Sequence, residues 1–255
     1  MYMQGLANFI DDFLGGLILI AYALVVGTLF WRAFVLRSVQ GQPNGGAGSQ
    51  IAALGVLRFG AKSLAIMQGT KLVMKGLVLW GVLGELPLAD YFSTVQFQAG
   101  LARMVLSTLI FWQTNALLRD PKIKDAWRNI YLLAIPLVAA GAWLVHAVGR
   151  FENRESLMLL TLAHQVAAAI WFGGVGQLLS LWRLGSRDEE ARKLWPLAVV
   201  RFGTLGIFAV ALLLLTGLPM ALTYVKTWTG LFGTGYGSLI ITKVILLTVA
   251  LGFAA

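Results

Sequence analysis

Between Phe13 and Trp31 the chain reads FLGGLILIAYALVVGTLFW, nineteen residues without a charge. A hydrocarbon core about 30 Å thick is crossed by about 20 such residues in a helix, and a stretch of this kind leaves little choice but a membrane span. Because Asp11 and Asp12 precede it rather than a basic segment, it reads as a retained span and not a signal peptide. Six further stretches follow the same rule: Ser63 to Gly84, Phe97 to Leu118, Ile130 to Gly149, Ser156 to Trp182, Phe202 to Tyr224, and one that starts near Tyr236 and is still apolar at Ala255. The expected fold is therefore all-α, a polytopic bundle of seven spans. The ending VILLTVALGFAA carries no polar flank or basic stop and points to a tail, and an eighth span, beyond residue 255. With 58% hydrophobic and only 12% charged residues, a soluble globule is excluded.

Orientation follows from the lysines and arginines, which concentrate in short cytoplasmic connections. One set of connections holds Arg32, Arg37, Arg58, Lys62, then Arg119, Lys122, Lys124, Arg128, then Arg183, Arg187, Arg192, Lys193 and Arg201, thirteen in all. The alternate set holds only Arg150, Arg154 and Lys226. That asymmetry places the N-terminus outside. It also accounts for the net charge of +9 without a nucleic-acid partner. The Gly- and Gln-rich stretch within residues 39–50 reads as a flexible cytoplasmic linker, with one unit of helices at 1–129 and a second at 130–255.

The chain has no cysteine, which removes disulfides, thiolate metal sites and covalent haem attachment. No Asp or Glu falls inside the seven stretches, which argues against a pump built on a buried carboxylate. No phosphate loop, zinc-protease motif or Ser/His/Asp set occurs, and Gly-Thr-Gly-Tyr-Gly at 233–237 opens a membrane helix rather than following a strand. An enzyme is not expected.

Only two histidines are present, His146 and His164, and both belong to the hairpin between the fourth and fifth spans. Counted from a turn near Asn153, their depths differ by roughly four residues, or about 6 Å, so the two rings can face each other near the outer surface. Imidazole suits copper, iron or zinc, and without cysteine the soft partner for Cu(I) is a methionine thioether; Met158 lies in the same hairpin. The plainer alternative has each histidine bonded to a neighbouring helix or to water. Ala168 and Trp171 share a face with His164, and Gly173, Gly174 and Gly176 read as helix packing. Met67, Lys71 and Met74 share a face of the second span, Lys75 lies beside them and Met104 opens the third. The methionines are either filler or a path for Cu(I). Lys71 and Lys75 need an anionic headgroup, a cofactor carboxylate or a partner subunit, whereas Arg103 and Lys243 are near enough the outer interface to snorkel.

Three stretches in the second half resemble the CopD copper-resistance family of bacterial inner-membrane proteins. They are His146-Ala147 with His164 and Trp171-Phe172-Gly173-Gly174; RFGTLGIFAVALLLLTGL, with Gly203 where the family has Ser and a Thr-Gly close; and GTGYGSLIITK with Thr234, Tyr236, Gly237 and Lys243. Val145 replaces the family's Gly, and residues 1–129 carry no motif of it. The resemblance implies an inner-membrane bundle handling copper in uptake or tolerance, with a periplasmic carrier of the CopC type as partner. On that reading His146 and His164 receive copper at the periplasmic face, Met158 is a third ligand, Trp171, Gly173 and Gly174 shape the site, and Tyr236 and Lys243 close its rim. Two alternatives stand beside it: a b-type haem held by the two histidines, and a non-catalytic subunit packing in a larger membrane complex.

Overall fold

The computed structural model describes residues 2–37, 46–120, 123–144, 153–225 and 227–252. His146, Ala147, Arg150, Lys226 and most of the expected linker lie outside the described residues, as does the side chain of Tyr236. Every regular element among the described residues is helical. In lipid a backbone must satisfy its own hydrogen bonds, and an apolar chain does so by coiling.

Helix α1, Tyr2–Phe30, runs on through a π-helical turn, Trp31–Val35. It is followed by α2, Ala47–Leu83; the short α3, Leu88–Ser93; α4, Val95–Arg119; α5, Lys124–Ala142; α6, Arg154–Gly185; α7, Glu189–Val225; the short α8, Trp228–Gly233; and α9, Gly235–Gly252. Among the described residues, four stretches are long and apolar enough to cross a membrane: Phe9–Val35, Ala47–Leu83, Arg154–Gly185 and Glu189–Val225. The described part of each of the seven apolar stretches is largely helical. The second begins sixteen residues earlier than its hydropathy indicates, so the expected linker is already helical from Ala47. Helix α4 carries Gln98, Arg103, Gln113 and Asn115, and α5 opens on Lys124, Asp125 and Arg128, which lowers their apolar character.

The long helices alternate in direction along the chain, so the bundle has two ends. At the basic end, α1 stops, α2 begins and α6 turns into α7. Here Trp31, Val35, Leu181, Leu194 and Phe202 form one buried cluster. A second cluster fills the space among α1, α2, α4 and α5 around Leu57, Leu64, Ile110, Ile130 and Leu137. The opposite end, where α6 begins and α7 finishes, carries His164 and is called the histidine end below.

Helix contacts are set by small residues, as expected where lipid offers no hydrophobic drive. A Cβ on Gly27 would lie 2.6 Å from Gly173 Cα and from the Ala169 carbonyl, so α1 and α6 touch backbone to backbone. The next residue, Gly174, admits the ring of Phe202 from α7. Two successive glycines thus serve two different neighbours, because consecutive helical positions point about 100° apart. Nearby, buried Gln177 Nε2 donates to Thr28 Oγ1 at 2.6 Å. Arg201 Nη1 donates to the carbonyls of Val35 at 2.6 Å and Arg37 at 3.0 Å. A cation on the unsatisfied carbonyls at a helix C-terminus is a favourable arrangement. The Arg201-Phe202 opening of the second motif therefore locks α7 onto α1 and α6.

Two charged residues depart from expectation. Lys71 forms an ion pair with Asp11 at 3.1 Å and donates to the Asp11 carbonyl at 3.2 Å, so an acidic residue of α1 supplies its counterion within the chain. Hydropathy placed Asp11 before the first span, but α1 starts well ahead of the apolar run and carries it along. Lys75 is exposed. Arg103 does not snorkel: it is 4% exposed, and its guanidinium lies 5.4 Å from the centre of the Tyr22 ring.

Candidate functional site

His164 sits three turns into α6, on the face turned towards α7. Its Nδ1 is 2.9 Å from Thr216 Oγ1. The Thr216 hydroxyl donates its single proton to the Leu212 carbonyl at 2.6 Å, in the back-bonding common for threonine in helices. With that proton on Leu212, the Thr216 oxygen is placed to accept from the ring, in the tautomer that has Nδ1 protonated. A histidine oriented in this way through one ring nitrogen has the form of a metal ligand with its hydrogen-bonding partner.

The following residue makes room for the ring. A Cβ on Gly217 would stand 3.1 Å from His164 Cε1, tighter than ordinary contact. The Thr-Gly close of the second motif and the histidine of the first are thus one structural unit: the threonine holds the imidazole and the glycine accommodates it. One turn nearer the histidine end, Thr161 Oγ1 is 3.3 Å from Met220 Sδ. Thr161 precedes His164 by three residues, and Met220 follows Thr216 by four, so both face the same inter-helix seam as His164. Met220 therefore lies about one turn from the imidazole. Sequence reasoning passed over it because it is 56 residues from His164; the i, i+4 spacing from Thr216 was the available signal.

Met158 is six positions before His164 on α6, on a face turned about 120° away. Lys243 of α9 is close enough to act electrostatically on the His164 ring, which brings the third motif to the same end of the bundle. Trp171 shares the His164 face, two turns deeper, but packs against the cluster at the basic end. Gly173 and Gly174 are occupied by α1 and α7 as described. The methionines of the second and third spans are elsewhere: Met67 packs on the core cluster, and Met104 Sδ abuts Gly69 of α2. No group of three or more His, Asp or Glu side chains capable of holding a metal occurs among the described residues.

Gln165, next to His164, points to the other side of α6. A Cβ on Gly141 would be 2.9 Å from an Arg103 Nη and 3.0 Å from Gln165 Oε1. Tyr22 Oη, Arg103 Nε and Gln165 Oε1 are each buried without a hydrogen-bond partner among the described residues. A second polar cluster therefore lies at the depth of His164, separated from it by the thickness of α6. Sequence gave no reason to join Tyr22, Arg103 and Gln165, which sit on three different helices.

The architecture is that of a helical membrane protein with a polar seam at one end. Residues 196–255 match the family model CopD, copper resistance protein D, so this part of the chain is similar to the CopD family, as its motifs imply. The matched segment holds Arg201, Thr216, Gly217, Met220 and Lys243, and His164 stands against it from outside. Comparison with curated proteins finds no match, and comparison with solved structures finds none either.

Proposed function

We propose that this chain is a copper-handling protein of the bacterial inner membrane that binds the ion at its histidine end through His164 and Met220, with His146 as the second imidazole. The observation that carries this reading is the contact of His164 Nδ1 with Thr216, which orients the imidazole about one turn from a thioether. A neutral imidazole beside a thioether is a soft set suited to Cu(I), and the absence of cysteine keeps it from binding too tightly to release. Met220 is preferred to Met158 because it faces the same seam as His164. Copper is the cargo here, and the role is binding and transfer rather than catalysis.

The match to copper resistance protein D over residues 196–255 supports the choice of metal. The thirteen-to-three asymmetry of basic residues supports seven spans, an outside N-terminus and a histidine end that faces the periplasm. A soluble periplasmic copper carrier of the CopC type is the partner that would deliver the ion there.

The test is metal analysis together with an absorption spectrum on detergent-purified protein, in the wild type, the His146→Ala/His164→Ala double variant and Met220→Leu. Copper near one per chain, lost in the double variant and weakened in Met220→Leu, is the expected result. A haem band lost with the histidines would make the chain a cytochrome-like subunit instead. Copper content independent of all three residues would favour a packing subunit of a larger complex.

A further inference from the structure

At the basic end, the turn from α6 to α7 borders an open surface concavity of about 670 Å³, lined by the exposed Arg183, Arg187 and Arg192 together with Trp182 and Trp195. A second concavity, of about 550 Å³, lies between α1, α2 and α6 and is lined by Leu24, Gly55, Val56, Phe59 and Leu179. Arg183 borders both. One space is therefore rimmed by three guanidinium groups and two indoles, and the other is an apolar groove that departs from the same arginine.

The local carboxylates are engaged elsewhere. Asp188 Oδ1 accepts from the backbone of Glu190 at 2.9 Å and of Ala191 at 3.2 Å, capping α7. Glu189 pairs with Lys193 at 2.9 Å. The carboxylates of Asp188 and Glu190 lie against Gly48 and Gly46 at the start of α2. None of the three arginines forms an ion pair with a carboxylate among the described residues. Three cations in one concavity, with no internal anion, fit a phosphate, which guanidinium binds bidentately. Indoles at that level are typical of a membrane–water boundary.

We propose that the α6–α7 turn holds the phosphate of an anionic phospholipid, with an acyl chain of the same molecule in the groove between α2 and α6. The groove has space for it: Gly55 is exposed, and a Cβ there would meet nothing within 4 Å. A free phosphate satisfies the arginines but not the groove, which is what separates the two sources of the same chemistry. The site is independent of the copper reading and lies at the opposite end of the bundle.

The full chain in a neutral detergent is titrated with phosphatidylglycerol and with phosphatidylcholine of the same acyl chains, and bound lipid is counted by native mass spectrometry. Phosphatidylglycerol should bind at least about tenfold tighter, since each basic residue contributes about fivefold towards an anionic headgroup. Arg183→Gln/Arg187→Gln/Arg192→Gln should erase that preference, leaving the two lipids bound about equally, while the matching lysine variant keeps part of it. Gly55→Leu should weaken both lipids and leave their ratio unchanged. If the triple variant fails to fold, Arg183→Gln alone should lose about fivefold. A phosphatidylglycerol preference that survives the glutamine substitutions overturns the proposal. So does displacement of the lipid by inorganic phosphate at equal concentration, which would make this a phosphate site.

Discussion

His164 Nδ1 and Thr216 Oγ1, 52 residues apart and on antiparallel helices, are 2.9 Å from each other, and the hydroxyl proton is committed to the Leu212 carbonyl. Removing the acceptor frees the ring to rotate and to change tautomer. On the proposed copper reading, Thr216→Val, which keeps the shape of the side chain, should lower copper affinity about 10- to 100-fold, the usual cost of losing a group that orients a metal-bound histidine. Thr216→Ser should retain it. Titration of purified protein with a competing Cu(I) chelator measures both.

Gly217→Ala tests the space beside the ring. In an exposed helix the change would favour folding by about 1 kcal/mol, but here the new methyl stands 3.1 Å from His164 Cε1. Thermal stability should be close to unchanged, and copper affinity should fall several-fold. A variant that binds copper as the wild type does would show that the imidazole position is not set by this contact.

Glycines of two motifs should respond very differently to substitution. Gly173→Ala forces α6 away from Gly27 of α1 and should destabilise the bundle by about 1–3 kcal/mol, the range for overpacking. Gly203→Ser introduces a hydroxyl at a position where a Cβ meets nothing within 4 Å. It should leave stability within about 0.5 kcal/mol of wild type, as for other substitutions into open surroundings. Unfolding in mixed detergent, followed by circular dichroism, distinguishes the two.

Arg103→Met removes a buried guanidinium that has the Tyr22 ring beside it but no carboxylate partner among the described residues. Replacing a poorly compensated buried charge by an apolar side chain of similar length is often stabilising by about 1–4 kcal/mol. The variant should melt higher than wild type. Retention of copper binding in it would show that the polar cluster of Tyr22, Arg103 and Gln165 acts separately from the His164 seam.

Much of this architecture was legible in the linear pattern. Apolar runs of span length located seven helices, because a chain in lipid has few other ways to pair its backbone. The reading of Gly173 and Gly174 as packing residues also follows from composition, since only small side chains let helices meet without a hydrophobic drive. The pattern failed where a helix outran its apolar stretch, as at α1 and α2, and the hidden overlap is what brought Asp11 to Lys71.

Sequence by itself determined that the chain is helical and that it is built for a membrane. Hydropathy and residue counts suffice for these because they depend on near neighbours along the chain. Tertiary structure decided which side chains face each other: Thr216 and Gly217 with His164, Met220 on the same seam, and Tyr22, Arg103 and Gln165 on the other side of α6. Such pairings depend on the rotation and depth of each helix against its neighbours. Those are set by where small residues allow two backbones to touch, as at Gly27 and Gly173, and no periodicity within a single helix encodes them.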